Sequence, residues 1–485
     1  MGRGPRPKAT ERWAWLGLVG SVTGAADRAL DTAQGHGFRF LWAFLPEPEI
    51  ARDLRFQHLL FSRFLSNAGQ EALTFGALVA VARDGGSALE LALIGVAALA
   101  PAALLGMYGG AVADQLAKRV ALAGAYAGQA LLCFLVPSLL GTDLPVVLVL
   151  IFLVTALGQV SSPAESSTLP LVASDTQLAS AVSLVSLAGG AGSGFGIGVL
   201  APLLVRSAGL EVVFYAAGAM LLLAATRVFD LPVGDRPWRG AFVPLGQRVR
   251  PALSWIANHP AVALIIILAV LAGTVSQVLT TLAPRYVEEV LRTDAANTAY
   301  VLLPSSAGVV AGLVAAPRIM RIRGERVAAM LGVLLGGSFL TLLGLIDAIA
   351  PVLDPVNPLR LLGVVGVETG ERLRTASVLT IPLSFGVSLA AASAQTYINR
   401  RVPLKLQGRT FAIQSTLRSG AAIVPLVAFG VAATQIGADR VLLLTPIILI
   451  AIGFLLVQAS FRFAKRAPPS YLEVASTFWE EPDEG

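Results

Sequence analysis

Apolar residues in this chain do not alternate with polar ones. They run on for about twenty positions at a time, broken by short polar stretches. A run of about 20 apolar residues makes a helix long enough to cross the ~30 Å hydrocarbon core of a bilayer. Six such runs fall at about 58–82, 88–113, 120–140, 144–162, 177–205 and 210–229. Six more follow at about 261–283, 296–316, 327–349, 376–398, 411–436 and 441–463. The pattern predicts an all-α membrane protein with twelve transmembrane helices in two six-helix bundles.

The interruptions divide the chain. Residues 1–55 form an N-terminal tail, 56–230 a first bundle, 231–258 a linker, 259–465 a second bundle and 466–485 a flexible C-terminal tail. Arg83-Asp-Gly-Gly-Ser87 is a minimal turn, and Pro163 to Thr176 reads as a polar connection. Within the linker, Gly246 to Asn258 is expected to form a surface helix that stops ahead of Pro260, since the residue before proline avoids the helical region. In the tail, Phe38 to Leu45 is short, aromatic and closed by Pro46-Glu-Pro48, so it is expected to lie at the headgroup level. A longer loop, Pro351 to Thr375, carries Glu368, Glu371, Arg372 and Arg374.

Composition supports this division and excludes several functions. Hydrophobic residues make up 55% and charged residues 14%, against about 25% charged in soluble domains. The mean hydropathy is +0.74. The single cysteine, Cys133, rules out an internal disulfide, and His36, His58 and His259 are scattered. No ligand-spaced set of metal-binding residues, phosphate loop or Ser/His/Asp set is recognisable, so the sequence points to no metal, no cofactor and no enzyme. With the N-terminus inside, about 26 of the 36 Lys and Arg residues fall on the inner side. That asymmetry is the positive-inside signature. It predicts cytoplasmic termini and an even number of spans, weighs against cleavage of the N-terminus, and explains the net charge of +6 without nucleic acid.

Three motifs carry more than topology. Between the second and third runs stands Gly110-Ala-Val-Ala-Asp114-Gln-Leu-Ala-Lys118-Arg119, expected to be a charged turn at a membrane surface. A second stretch, Gly312-Leu-Val-Ala-Ala-Pro-Arg318-Ile-Met-Arg321-Ile-Arg323, repeats the glycine and the basic cluster without the acid. In the fifth run, Gly190, Gly194 and Gly198 recur at intervals of four, which places them on one helix face for tight packing.

These motifs resemble those of the major facilitator superfamily, whose loop between helices 2 and 3 reads G-x-x-x-D-[RK]-x-G-[RK]-[RK]. Gly110, Asp114, Lys118 and Arg119 match it, while Gln115 and Ala117 depart from it. The fifth run resembles the exporter motif G-x-x-x-G-P-x-x-G-G, with Phe195 in place of the proline and Val199 in place of the last glycine. Leu60 to Gly69, Ser162 to Val172 and Arg400 to Arg409 are similar to the drug-efflux branch that includes macrolide-efflux and enterobactin-exporter-type carriers. That branch places Asp where this chain has Gln70, with Glu71 next. The resemblance spans about residues 55–465. It implies an alternating-access transporter in a bacterial inner membrane, with the Gly110–Arg119 turn as a conformational gate and Gly312, Arg318 and Arg321 as its second copy.

Ionisable side chains at membrane depth cost several kcal/mol and mark functional candidates. Arg63, Asn67 and Glu71 share one face of the first span and are expected to look into a central cavity. Glu71 is the candidate for proton uptake, and an Arg63–Glu71 structural pair linked through Asn67 is its alternative. Gln159, Gln277, Gln395, Gln414 and Arg418 are further candidates to line the route. The implied partners are the lipid bilayer, a small amphipathic substrate and protons as coupling ion, with the chain acting as a monomer. A lysophospholipid carrier and a transport-inactive scaffold or sensor are the other readings the sequence leaves open.

Overall fold

The computed structural model describes residues 53–172, 178–229, 245–360, 370–437, 440–445 and 451. The N-terminal tail, the first half of the linker, most of the twelfth span and the C-terminal tail lie outside the described residues. Among the described residues the chain is helical throughout, with no strand.

The first bundle contains α1 (Leu54–Arg83), α2 (Ala88–Gln115), α3 (Lys118–Leu140), α4 (Leu144–Val172), α5 and α6 (Leu210–Val228). α5 has three segments: Leu178–Phe195, a π-helical turn Gly196–Leu200, and Ala201–Ala208. A short helix, α7 (Leu245–Asn258), follows where a surface helix was expected. The second bundle contains α8 (Pro260–Glu289), α9 (Thr298–Gly344), α10 (Ile346–Leu353), α11 (Glu371–Arg401) and α12 (Leu404–Ile436). Nine stretches among the described residues are long and apolar enough to cross a membrane. One of them, Ala295–Gly344, folds back on itself: Gly324 breaks α9 with φ 77° and ψ 161°, a conformation that glycine adopts without a Cβ clash. Its arms, 298–323 and 325–344, account for two predicted spans. α1 is not among the nine because it carries Gln57, His58, Arg63, Asn67, Gln70 and Glu71 along its length.

The ends of these helices follow from local chemistry. Asp53 accepts a hydrogen bond from the Arg55 amide at 2.8 Å and caps α1. Ser87 and Glu90 form a reciprocal capping box that starts α2. Two predicted boundaries move. α4 continues through Pro163 to Val172, so most of the expected polar connection is helix. Its serines and threonines can bond back to the carbonyl one turn earlier, as Thr168 does to Ala164 at 2.8 Å. α2 likewise runs on through Gly110 and Asp114 to Gln115, which leaves only Leu116 and Ala117 as the turn.

A buried core fills the first bundle around Phe56, Leu73, Phe75, Tyr126 and Phe214. Three clusters fill the second, around Val287, Leu340 and Leu379, around Ile265, Ala394 and Ile398, and around Ala316, Ala328 and Leu389. The bundles meet toward the end that carries Arg83. There Ala88 and Ala92 of α2 pack with Val278 and Leu282 of α8 and Leu426 and Phe429 of α12. Arg83 pairs with Asp294 at 3.2 Å across the same seam, and Ala295 and Ala296 join the first bundle's core. The opposite end carries Lys118, Gly324 and Arg400.

Candidate functional site

α1 carries most of the membrane-depth polarity. Arg63 stands ten residues into a 30-residue helix, about 14 Å along it at 1.5 Å per residue. Its Nη1 donates to Glu165 Oε2 of α4 at 2.6 Å, and Glu165 is 3% exposed. The expected alternative, pairing with Glu71, is not what forms. Glu165 was missed because the sequence placed it in a surface connection; the extension of α4 carries it into the bundle. The one sequence signal is the absence of any lysine or arginine between Ser162 and Thr176, although that stretch lies on the side rich in positive charge. The pair is incompletely satisfied. Arg63 Nε and Glu165 Oε1 are both buried without a hydrogen-bond partner.

Arg63 and Asn67 reach toward α5 because Gly189 leaves them room. A Cβ at Gly189 would stand 2.8 Å from Asn67 Nδ2 and 3.0 Å from Arg63 Nε. The glycines that set the α1–α5 approach are Gly192 and Gly196, where a Cβ would meet the Phe64 carbonyl at 2.4 Å and the Ala68 carbonyl at 2.5 Å. At Gly190 and Gly194 a Cβ would meet open space, so those expected packing positions do not set the approach. Gly198 does make a close contact, with Leu303 of the second bundle at 2.6 Å from its notional Cβ. The π-helical turn begins at Gly196, at the close crossing.

Next to this pair lies an amide network that the sequence did not reveal. Gln70 donates to Gln129 of α3 at 3.1 Å, and Gln129 donates to the Val154 carbonyl of α4 at 3.0 Å. Gln129 is completely buried. Gln70 and Gln129 together therefore tie three helices to one another. Glu71 is half-buried and, among the described residues, has neither an ion-pair nor a hydrogen-bond partner. It lies eight residues beyond Arg63, about 12 Å nearer the Arg83 end.

The second bundle contributes Arg418 on α12. Its side-chain stem lies across α8, so a Cβ at Gly273 would stand 2.4 Å from Arg418 Cδ. Among the described residues no carboxylate pairs with it, and it is exposed. Gln159 reaches the seam between bundles: Gly106 of α2 is flanked by Thr416 Oγ1 of α12 and Gln159 Oε1 of α4, 3.2 and 3.6 Å from its notional Cβ. Gln159 also donates to the Thr155 carbonyl at 3.2 Å, and Gln277 donates to Thr281 at 3.3 Å. Gln395 is exposed on α11 and Gln414 half-buried on α12, and nothing draws either toward Arg63.

At the Lys118 end, Lys118 and Arg119 open α3, and the Arg119 guanidinium sits 5.2 Å from the ring of Phe229, which caps the end of α6. The side-chain surroundings of Gly110 and Asp114 lie outside the described residues. In the second bundle the turn is at Gly324, twelve residues after Gly312, whereas the first turn begins six residues after Gly110. The apparent copy is out of register. Gly312 instead serves packing, since a Cβ there would meet Ser388 Oγ at 2.1 Å and the Phe385 carbonyl at 2.6 Å on α11. Arg318 and Arg321 lie on α9 ahead of the Gly324 turn. At this end Arg400 pairs with Glu325, and Arg326 lies 5.4 Å from the Tyr397 ring.

Two helical bundles that meet toward one end, with charged and amide side chains held between helices at membrane depth, define a membrane transporter architecture. The sequence profile of the Major Facilitator Superfamily matches residues 59–425, and the chain belongs to that family. It is a multi-pass membrane transporter, not an enzyme. Among solved structures it is similar to the nucleoside transporter NupG, at TM-score 0.60 and 14% identity over 84% of this chain and 99% of that one. It is also similar to a bacterial homolog of the human lysosomal transporter Spinster in an inward-facing, unoccupied conformation. That match has TM-score 0.62 and 14% identity over 86% of this chain and all of the other. At these identities the likeness shows the fold alone. No curated protein sequence matches the chain.

Proposed function

We propose that this chain is a proton-coupled exporter of amphipathic small molecules that works by alternating access in a bacterial inner membrane. Both termini are cytoplasmic in this reading and the chain acts as a monomer. The observation that carries it is Glu71, an intramembrane carboxylate without a partner among the described residues. An unpaired carboxylate at membrane depth is expensive when charged, so it takes up a proton when open to the more acidic side and releases it on the other. Arg63 and Glu165 neutralise one another at 2.6 Å, which leaves Glu71 as the membrane-depth carboxylate of α1 and α4 free to change charge among the described residues. A scaffold would gain nothing from either feature.

The direction of access follows from the charge asymmetry. With Lys118 and Arg400 on the cytoplasmic side, the seam at Arg83 and Asp294 closes the outer face and the cavity opens inward. The Gly110, Asp114, Lys118 and Arg119 turn serves as the inner gate of the first bundle. Purified protein in proteoliposomes with an imposed pH gradient tests the coupling. Glu71→Gln is expected to retain exchange of an amphiphilic dye at equal pH and to lose its gradient-driven accumulation. Gradient-driven accumulation at wild-type level in that variant refutes the assignment of Glu71.

A further inference from the structure

We propose that the substrate carries an anionic group and that Arg418 is the residue that receives it. This rests on the exporter reading above and adds the chemical class of what is carried. Arg418 lies fifteen residues into the 33-residue α12, about 21 Å along it. Its helix face is settled by its neighbours. Ala422, Pro425, Phe429 and Ala433, at four, seven, eleven and fifteen residues further on, are all buried, and these spacings lie close to one stripe of a helix. Arg418 therefore stands on the inward-facing stripe, yet it is itself exposed. An exposed residue on an inward stripe faces an internal opening rather than lipid. The lipid side of α12 is instead marked by Leu417, Val424 and Val431.

The stem of Arg418 is also seated against a neighbouring helix. Gly273 of α8 has no side chain, and the Arg418 stem fills that gap. α2 packs on the neighbouring side of α12 through Gly106 at Thr416 and Ala103 at Gly420. Among the described residues Arg63 of α1 is spent on Glu165, whereas Arg418 has no acid. An exposed guanidinium on the bundle-facing stripe of α12, with no acid beside it among the described residues, is suited to a carboxylate, sulfonate or phosphate, which it can bind by two parallel hydrogen bonds.

The test uses the full-length protein in lipid nanodiscs and two fluorescent probes of equal length, NBD-laurate and NBD-dodecylamine. Wild type is expected to bind the carboxylate at least ten-fold more tightly than the amine. Arg418→Gln should remove that preference and Arg418→Lys should keep part of it. Gly273→Ala should weaken NBD-laurate binding with Arg418 intact, because its Cβ displaces the stem. Protection of the buried Cys133 thiol from a maleimide dye checks that each variant is folded. Equal binding of the two probes by wild type, or unchanged NBD-laurate binding by folded Arg418→Gln, overturns the proposal. The exporter reading fails separately. If Arg418→Gln abolishes NBD-laurate binding while wild type moves neither probe under a pH gradient, the anion site stands and proton-coupled export does not.

Discussion

Truncating one partner of the Arg63–Glu165 pair should destabilise the first bundle far more than truncating both. Glu165 is 3% exposed and Arg63 28%, and the contact is 2.6 Å. Removing one partner of a buried pair leaves an uncompensated charge and costs about 3–5 kcal/mol. The residual exposure of Arg63 puts Glu165→Ala toward the lower figure, about 3 kcal/mol, because the stranded guanidinium retains some access to water. Arg63→Ala strands the more deeply buried Glu165, which can escape by taking up a proton. Removing both leaves no charge, so the double variant should be more stable than the sum of the single losses by about 2–3 kcal/mol. The chain supplies its own probe: Cys133, its single cysteine, is fully buried on α3 within the same core. Reactivity of that thiol with a maleimide dye during titration of mixed micelles with SDS reports opening of the first bundle. Additive losses across the cycle, or a Glu165→Ala variant as stable as wild type, would show that the pair carries no such coupling.

Three further outcomes follow from the geometry. Gly192→Ala places a Cβ 2.4 Å from the Phe64 carbonyl and should cost about 1–3 kcal/mol by overpacking. Gly190→Ala and Gly194→Ala meet open space and should stay within about 0.5 kcal/mol of wild type in the same denaturation assay; equal losses at all three would refute the packing assignment. Asp294→Ala removes the Arg83 contact across the bundle seam. Both groups are about one-third exposed, so the change is worth no more than about 1 kcal/mol, and spin-label distances should show a several-fold rise in the population opened at that end. Asp354, outside the membrane spans, accepts two hydrogen bonds from Arg374 at 2.9 Å, and these hold its carboxyl below the ordinary range. A depressed pKa contributes stability above the unfolded value that is lost as pH falls through the folded one. Asp354→Asn should therefore be less stable than wild type at neutral pH, with the gap closing well below about pH 4.

The helices were legible in the sequence because hydrophobic run length is a membrane signal that tertiary context seldom overrides. Eleven predicted spans appear among the described residues, and the twelfth falls largely outside them. Boundaries were less legible where polar residues sit inside helices. Ser162 to Thr168 looks like a loop by composition, but the Thr168 hydroxyl bonds back along α4 and the acid of the stretch, Glu165, is neutralised by Arg63, a partner 102 residues away. No local rule reports such a partner. The glycines of α5 show the same limit. The spacing of Gly190, Gly194 and Gly198 identifies one possible face, but Gly192 and Gly196 repeat at the same interval, and only the position of α1 decides between them. Gly312 packs against α11 and lies twelve residues ahead of the Gly324 turn, a placement that its position before a basic cluster does not report. Arg63, Asn67, Glu71 and Arg418 stood out because charge and amides are costly in lipid, though which acid Arg63 meets had to come from the structure.

In the reading proposed above, a proton gradient drives transport through Glu71. The direct measurement is NBD-laurate accumulation in proteoliposomes holding a defined pH difference, with and without an ionophore that collapses it. Accumulation that follows the sign of the gradient, stops on its collapse and is lost in Glu71→Gln is the predicted result. Accumulation that ignores the gradient, or that Glu71→Gln leaves intact, would contradict it.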